Sequence, residues 1–298
     1  MYPRVKEKTE VGRVNAAVEA QNVEIDGLSI RYLAAGEGPP LVLLHGAGDN
    51  SLDWGWVLPA LARKHRVYAP DLPGSPDSAR PAADYSPAFF ERFVASYVDA
   101  LGIGRATFVG NSLGGLVAFR LALSEPTRVT ALVLVDSAGL GSAVNPAFTS
   151  VNVLLFSEAA VSFWRTAVGA YQRAWGRTAL LFAHPPGSVP REWLAEQCRL
   201  ARSPGYLEAH LTVLRALVDP GGQREVLVDR LPLLEVPTLV VWGARDRVFP
   251  DSQARDAAAR LRRGSLAVIP DCGHLPHVEC PDRFVAALDQ FLLRRVRR

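Results

Sequence analysis

The stretch ATFVGNSLGGLVAFRLA, residues 106–122, decides how this chain folds and where its chemistry lies. Its first residues, 106–109, form a short apolar run of the kind found in buried strands. Its last residues predict a helix that ends before Pro126. The hexapeptide GNSLGG, residues 110–115, joins the two and matches the pattern G-x-S-x-G. Glycine allows so tight a turn, and the turn projects the hydroxyl of Ser112 from the sheet edge, where it can act as a nucleophile.

Strands and helices alternate on both sides of this stretch. A hairpin is predicted around Asp26-Gly27, and a helix is predicted to begin near Ser86 and to stop at Gly102. This alternation predicts an α/β fold with a mostly parallel central sheet and helices on both faces. The further predicted strands are residues 40–44, 66–69, 129–135, 237–242 and 265–269.

The alternation is interrupted between residues 140 and 225, where no buried strand is evident. Apolar and aromatic residues recur there at helical spacing, and an unstructured loop of this length would be uncommon. We therefore predict a core domain of residues 1–139 and 226–298, with residues 140–225 inserted as a helical cap. The residues at helical spacing are Phe156, Val161, Trp164, Val168, Tyr171 and Trp175, and Trp164 and Arg165 are candidates for lining a pocket.

A serine nucleophile needs a base to take its proton and a carboxylate to orient that base. His274 lies just after the last core strand and is the candidate base, with His277 as its rival. Asp246 and Asp136 each follow a predicted core strand. Both satisfy the chain order serine, acid, histidine, so the order alone leaves the acid open.

The oxyanion that forms during acyl transfer also needs hydrogen-bond donors. The backbone N–H of Leu113 comes with the serine turn, and that of Ala47, in the glycine-rich loop after residues 40–44, is the predicted second donor. Their neighbours Gly48 and Asn111 are further candidates for contact with the substrate.

Composition limits the remaining possibilities. Of the 298 residues 21% are charged, and no apolar run approaches the roughly 20 residues that span a bilayer, so no membrane span is predicted. A formal charge of +3 is too weak to indicate nucleic-acid binding. The charged N-terminus lacks a secretory signal and the three cysteines lack the spacing of a disulfide framework, so we expect a cytoplasmic protein. No metal cluster or phosphate-binding loop is evident, and a homo-oligomer is possible.

Taken together, these motifs resemble the α/β-hydrolase superfamily, over about residues 23–293. The resemblance implies the fold, identifies residues 140–225 with the helical cap and favours Asp246 as the acid. Residues 71–74, with the sequence DLPG, look like the superfamily's structural D-x-P-G loop. Members hydrolyse esters, amides, epoxides, carbon–halogen and carbon–carbon bonds without a dissociable cofactor, so no cofactor is expected.

Within the superfamily, epoxide hydrolases and haloalkane dehalogenases are excluded because they carry aspartate where this chain has Ser112. We expect hydrolysis of a small to medium, apolar carboxylic ester through an acyl-enzyme at Ser112. The alternative is carbon–carbon hydrolysis of aromatic ring-cleavage products, although Leu275 stands where those enzymes usually have tryptophan after the catalytic histidine. A perhydrolase and a low-turnover ligand-binding protein remain further alternatives.

Overall fold

The computed structural model describes residues 18–146, 149 and 158–296. An eight-stranded sheet forms its centre, in the spatial order β1-β2-β4-β3-β5-β6-β9-β10. β1 and β4 both pair antiparallel with β2, whereas the other neighbours pair in parallel. The mostly parallel sheet predicted from the sequence is therefore confirmed, and so is the hairpin at Asp26-Gly27. The strands are β1 Glu19–Ile25, β2 Leu28–Ala35, β3 Pro40–Leu44, β4 Arg66–Pro70, β5 Ala106–Asn111, β6 Val129–Val135, β9 Thr238–Gly243 and β10 Gly264–Ile269.

Helices connect the strands and cover both faces of the sheet. The helix after β4 begins at an N-cap, Ser86, whose side chain accepts a hydrogen bond from the Phe89 N–H. In chain order the helices are α1 Leu58–Leu61, α2 Pro87–Ala100, α3 Leu113–Ser124, α4 Glu158–Trp164, α5 Ala167–Leu181, α6 Arg191–Arg202, α7 Tyr206–Leu217, α8 Ser252–Arg260, α9 Pro276–Glu279 and α10 Pro281–Val296. Short 3-10 turns add Ser51–Trp56, Pro126–Arg128 and Val228–Leu233.

The central strands are buried on both faces. In β3, Val42 and Leu44 belong to one apolar cluster, whereas Leu41 and Leu43 belong to a second cluster across the sheet. Successive side chains of a strand point to opposite faces, which explains why this strand reads as an unbroken apolar run. Because these strands are parallel, their carboxyl ends lie along one edge of the sheet.

The chain between β6 and β9 contains α4 to α7 and a two-stranded hairpin, β7 Val218–Asp219 and β8 Gly222–Gln223. This small hairpin was not expected from the sequence, because two residues per strand are too short to show a pattern. The helices enclose an apolar cluster of their own, which includes Val161, Leu200 and Tyr206. Phe156, one of the predicted helical positions, lies outside the described residues. The division into core and cap stays a prediction.

No helix within the described residues combines the length and the apolar character that crossing a membrane requires.

Candidate active site

Ser112 lies on a strained turn between β5 and α3. Its φ of 52° and ψ of −115° are uncommon for a residue with a side chain, and such strain persists where the surroundings impose it. The turn is tight enough to require glycine on either side. A Cβ on Gly110 would lie 2.1 Å from the carbonyl oxygen of Gly114. The Ser112 N–H donates to the carbonyl of Val135, 3.0 Å away, so β6 holds the turn in place.

The two predicted oxyanion donors lie in segments that touch each other. Leu113 is the first residue of α3, so its N–H has no acceptor within the helix. The loop that carries Ala47 approaches closely, because a Cβ on Gly46 would lie 3.3 Å from the Cβ of Ser112. Ala47 and Ser112 line the same cavity. The first turn of α3 and this loop therefore lie side by side, and the role of the two N–H groups as oxyanion donors stays a prediction.

His45 supports the loop that carries Ala47 through contacts of both its ring nitrogens. The Leu72 N–H donates to its Nε2 at 2.9 Å, and its Nδ1 lies 2.9 Å from the carbonyl of Gly46. Burial lowers the pKa of His45, and the neutral ring suits a residue that donates through one nitrogen and accepts through the other. We conclude that His45 is structural.

His274 and Asp246 are brought together by the loops after β10 and β9. Nδ1 of His274 lies 2.9 Å from Oδ2 of Asp246, and both side chains are buried. The other oxygen, Oδ1, accepts the Val248 N–H at 2.7 Å. The geometry leaves Nε2 of His274 as the ring nitrogen available for proton transfer. The amide of Asn111 donates to the carbonyl of His274 at 3.0 Å and ties this loop to the nucleophile strand.

The two rival residues, His277 and Asp136, make other contacts. His277 is buried and stacks on Trp54 with ring centroids 4.1 Å apart. Burial lowers the pKa of His277 to about 3, so it stays neutral in the core. Asp136 lies beside Asp246, but its Oδ1 accepts the N–H of Gly243 at 2.9 Å.

Two cavities flank the Ala47 loop. The first, here called the nucleophile cavity, has an empty volume of about 360 Å³ and includes Ser112, Gln223 and Glu225. Its other lining residues are apolar: Ala47, Leu116, Ala138, Leu217, Val218 and Phe249. The second, the loop cavity, has an empty volume of about 310 Å³ and includes Leu113, Gly48, Tyr206 and His210. Helix α7 thus contributes side chains to both cavities.

The four predicted substrate-binding residues lie in different surroundings. Gly48 lines the loop cavity. Asn111 uses its amide on the backbone of Val135 and His274, so its evident role is structural. Trp164 and Arg165 do not belong to the described lining of these two cavities, and their role in binding substrate stays a prediction.

The two residues differ in position, since Trp164 is the last residue of α4 and Arg165 lies in the turn before α5. Trp164 packs against the apolar cluster between the inserted helices. Arg165 lies at the surface, 39% exposed, and pairs with Glu208. Aromatic spacing in the sequence identified the helices but could not tell which face turns inward.

Sequence reasoning missed a buried polar cluster where the insertion meets the Ala47 loop. Arg177 donates to Oδ1 of Asp49 at 2.7 Å, and the amide of Gln197 donates to the same oxygen at 3.0 Å. The hydroxyl of Tyr206 donates to the carbonyl of Gly48 at 2.7 Å. The ion pair joins residues 128 positions apart, and no local pattern in a single sequence signals such a contact.

Known proteins resemble this chain in sequence and in structure. A family model described as "alpha/beta hydrolase fold" matches residues 39–281. The chain belongs to this family. It is 31% identical over 284 residues to a 2-hydroxymuconate semialdehyde hydrolase of Pseudomonas sp. strain CF600, covering 89% of this chain and 91% of the relative. It is also 34% identical to an uncharacterised protein of Mycobacterium tuberculosis strain H37Rv, covering 90% of this chain and 79% of that protein.

Solved structures give the same assignment. A serine hydrolase involved in carbazole degradation superposes with a TM-score of 0.77 at 28% identity, covering 93% of this chain and 99% of that one. A bacterial membrane phospholipase A superposes with a TM-score of 0.75 at 28% identity, covering 92% of this chain and 86% of that one. The family and these relatives identify the chain as a hydrolase of the α/β-hydrolase fold.

Proposed function

We propose that this hydrolase cleaves small to medium, apolar carboxylic esters through an acyl-enzyme at Ser112. His274 is the base, Asp246 orients it, and the N–H groups of Leu113 and Ala47 bind the oxyanion. The observation that carries the proposal is the pairing of His274 with Asp246 beside Phe249, a ring that contacts His274 and lines the same cavity as Ser112.

The reaction proceeds in two halves. Nε2 of His274 takes the proton of Ser112 Oγ as the oxygen attacks the ester carbonyl carbon. The oxyanion collapses, the bond to the alkoxy oxygen breaks, and the imidazolium returns its proton to the departing alcohol. Water then attacks the acyl-enzyme, loses a proton to His274, and the carboxylic acid departs as Ser112 regains its hydrogen. Asp246 stays ionised and stabilises the imidazolium in both halves.

The cavities favour an apolar substrate over an anionic one. Among the described residues that line them, none is lysine or arginine, and both Glu225 and Asp49 are acidic. Arg177 is near the loop cavity, but its charge is matched by Asp49. A substrate carboxylate in the nucleophile cavity would therefore be desolvated beside Glu225 with no cation in the described lining, which is costly.

We also propose that residues 140–225 form a cap that sets specificity. Support comes from α7, whose residues Tyr206, His210 and Leu217 reach the two cavities. The core supplies the reacting groups, so discrimination between acyl groups falls to such side chains.

The test is steady-state turnover of p-nitrophenyl esters from acetate to decanoate. We expect measurable kcat/KM values that rise with chain length until the cavity is filled. Stoichiometric release of p-nitrophenol without turnover would favour the ligand-binding alternative. Weak ester hydrolysis together with halide oxidation in peracid assays would favour the perhydrolase.

The second candidate is carbon–carbon hydrolysis of ring-cleavage products. The identity of 31% to a 2-hydroxymuconate semialdehyde hydrolase favours it. Such an acidic substrate would need a cation. Arg177 could supply it by leaving Asp49, and so could Arg173, which lies over the ring of Tyr206 with a buried Nη1 that has no hydrogen-bond partner among the described residues. Cleavage of a ring-cleavage dienoate at a kcat/KM well above that of every ester would establish this candidate instead.

A further inference from the structure

Two aspartates converge on the candidate base, and the proposed mechanism uses one of them. Asp136 follows β6 and Asp246 follows β9, and these strands are neighbours in the sheet. One oxygen of each carboxyl group and one ring nitrogen of His274 lie within 4.8 Å of one another. The side chains of Asp136 and Asp246 are fully buried, at 0% exposure.

The hydrogen bonds of the two carboxyl groups differ. Asp246 accepts from the backbone N–H groups of Val248 and Phe249, at 2.7 and 3.3 Å, and pairs with Nδ1 of His274. Asp136 accepts from the N–H of Gly243 through Oδ1. Its Oδ2 is buried and has no hydrogen-bond donor among the described residues.

Two carboxyl groups that share a buried site cannot both ionise at neutral pH, because their like charges repel in a poorly solvated space. The group with more donors keeps the charge, and Asp246 has more donors. Burial and the negative neighbours Asp246 and Glu279 hold the pKa of Asp136 well above its ordinary range. The proton therefore resides on Oδ2 of Asp136, the oxygen without a donor.

The backbone of Asp136 supports a positioning role. Its φ is 41°, a left-handed conformation that is uncommon for a residue with a side chain. Its N–H donates to the carbonyl of Val241 at 3.0 Å, which fixes the turn against β9. Backbone strain of this kind recurs at functional sites.

We propose that Asp136 is a protonated positioning residue whose Oδ2–H donates to the carboxylate of Asp246 and holds it against Nδ1 of His274. The inference rests on the proposed roles of Asp246 and His274. It assigns each aspartate a different protonation state, although the sequence made them rivals for one role.

The test compares Asp136→Asn with Asp136→Leu. Asparagine keeps an oxygen for Gly243 and places an N–H where the carboxyl proton was, so kcat should stay within about threefold of wild type. Leucine fills the space without a donor, and kcat should fall by about tenfold or more, because a hydrogen bond to a charged group is lost. Asp136→Asn should also leave the lower limb of the kcat/KM pH profile in place, since no charge is removed.

Three results would overturn the proposal. If Asp136→Asn is as inactive as Asp246→Asn, or shifts the lower limb of the kcat/KM profile to lower pH, Asp136 is ionised in wild type. If folded Asp136→Leu is as active as wild type, Asp136 holds nothing in position. If Asp246→Asn itself keeps full activity, the proposed site is wrong, which separates that failure from failure of this inference.

Infrared spectroscopy gives a readout that needs no turnover. The wild-type spectrum at neutral pH, minus that of Asp136→Asn, should contain the C=O stretch of a protonated carboxyl group. Asp53 is the control, because burial and Asp49 also raise its pKa well above the ordinary range. Its band should survive in Asp136→Asn and disappear in Asp53→Asn. A difference spectrum with only ionised carboxylate bands would refute a protonated Asp136.

Discussion

The loops at the carboxyl edge of the sheet and the helices inserted between β6 and β9 differ in how far their contacts can be predicted from the sequence. At the sheet edge, Ser112 follows β5 directly, and Asp246 and His274 lie on the loops after β9 and β10, which bring them into contact. In the insertion, only the folded structure reveals which residues contact the candidate site. Tyr206 and Arg177, which bind Gly48 and Asp49, are examples. The chemistry is thus encoded locally, whereas the surroundings of the substrate depend on contacts between distant segments.

The largest expected effect lies at the sheet edge. Ser112→Ala and His274→Ala should each lower kcat by on the order of 10⁴ or more, because members of such a site act as a unit. His277→Phe is the matched control for the second change and should keep most of the activity, since that ring lies in the core. Ester hydrolysis at saturating substrate measures all three. Loss of activity in folded His277→Phe alone would exchange the roles of the two histidines.

The next effect lies where the insertion meets the core. Asp49 is 4% exposed and Arg177 is 12% exposed, so removing one partner leaves a buried charge uncompensated. Arg177→Met should lower the free energy of unfolding by about 3–5 kcal/mol. The double variant with Asp49→Asn should recover part of this loss, because both charges are gone. Urea denaturation provides the values, and additive losses would show that the pair is not coupled.

Some features of the site could be predicted from the sequence, and others could not. The glycines around Ser112 predicted its turn because steric limits act over a few residues. Strand ends predicted that His274, Asp246 and Asp136 lie at one edge because parallel strands finish there, and only the family resemblance favoured Asp246 over Asp136. The surroundings of Arg165 could not be predicted, because it lies in the turn after α4, where helical spacing gives no information. Arg177 was missed because its partner is 128 residues away.

A smaller effect concerns the pH dependence of stability. The pKa of His277 falls from its ordinary 6.5 to about 3 in the folded protein, because the ring is buried. Between these pH values the unfolded chain binds one more proton at this site than the folded chain does. Wild type should therefore lose stability as pH falls, by up to about 1.4 kcal/mol per pH unit from this residue.

His277→Phe removes this titration and keeps an aromatic ring against Trp54. Its free energy of unfolding should decline less between pH 7 and pH 5 than that of wild type. Denaturation curves at both pH values give the comparison, and equal declines would mean that His277 does not titrate on unfolding.

The smallest effect tests specificity in the insertion. Leu217 lines the nucleophile cavity, so Leu217→Ala should make room for a longer acyl chain. Each extra buried methylene should favour the longer ester by about 0.8 kcal/mol, or roughly fourfold in kcat/KM. Trp164→Ala is the control in the same insertion and should change stability without changing the preferred length. A shift in Trp164→Ala but not in Leu217→Ala would reverse our view of which face meets the substrate.

The covalent intermediate is the central claim, and active-site labelling followed by peptide mass spectrometry tests it most directly. An alkyl phosphonate ester should add one group to each chain, on the peptide that carries Ser112, and a pre-treated sample should lose its esterase activity in proportion. Ser112→Ala should remain unlabelled, and His274→Ala should label far more slowly. Equal labelling of Ser112→Ala, or full ester turnover by the labelled enzyme, would contradict the account.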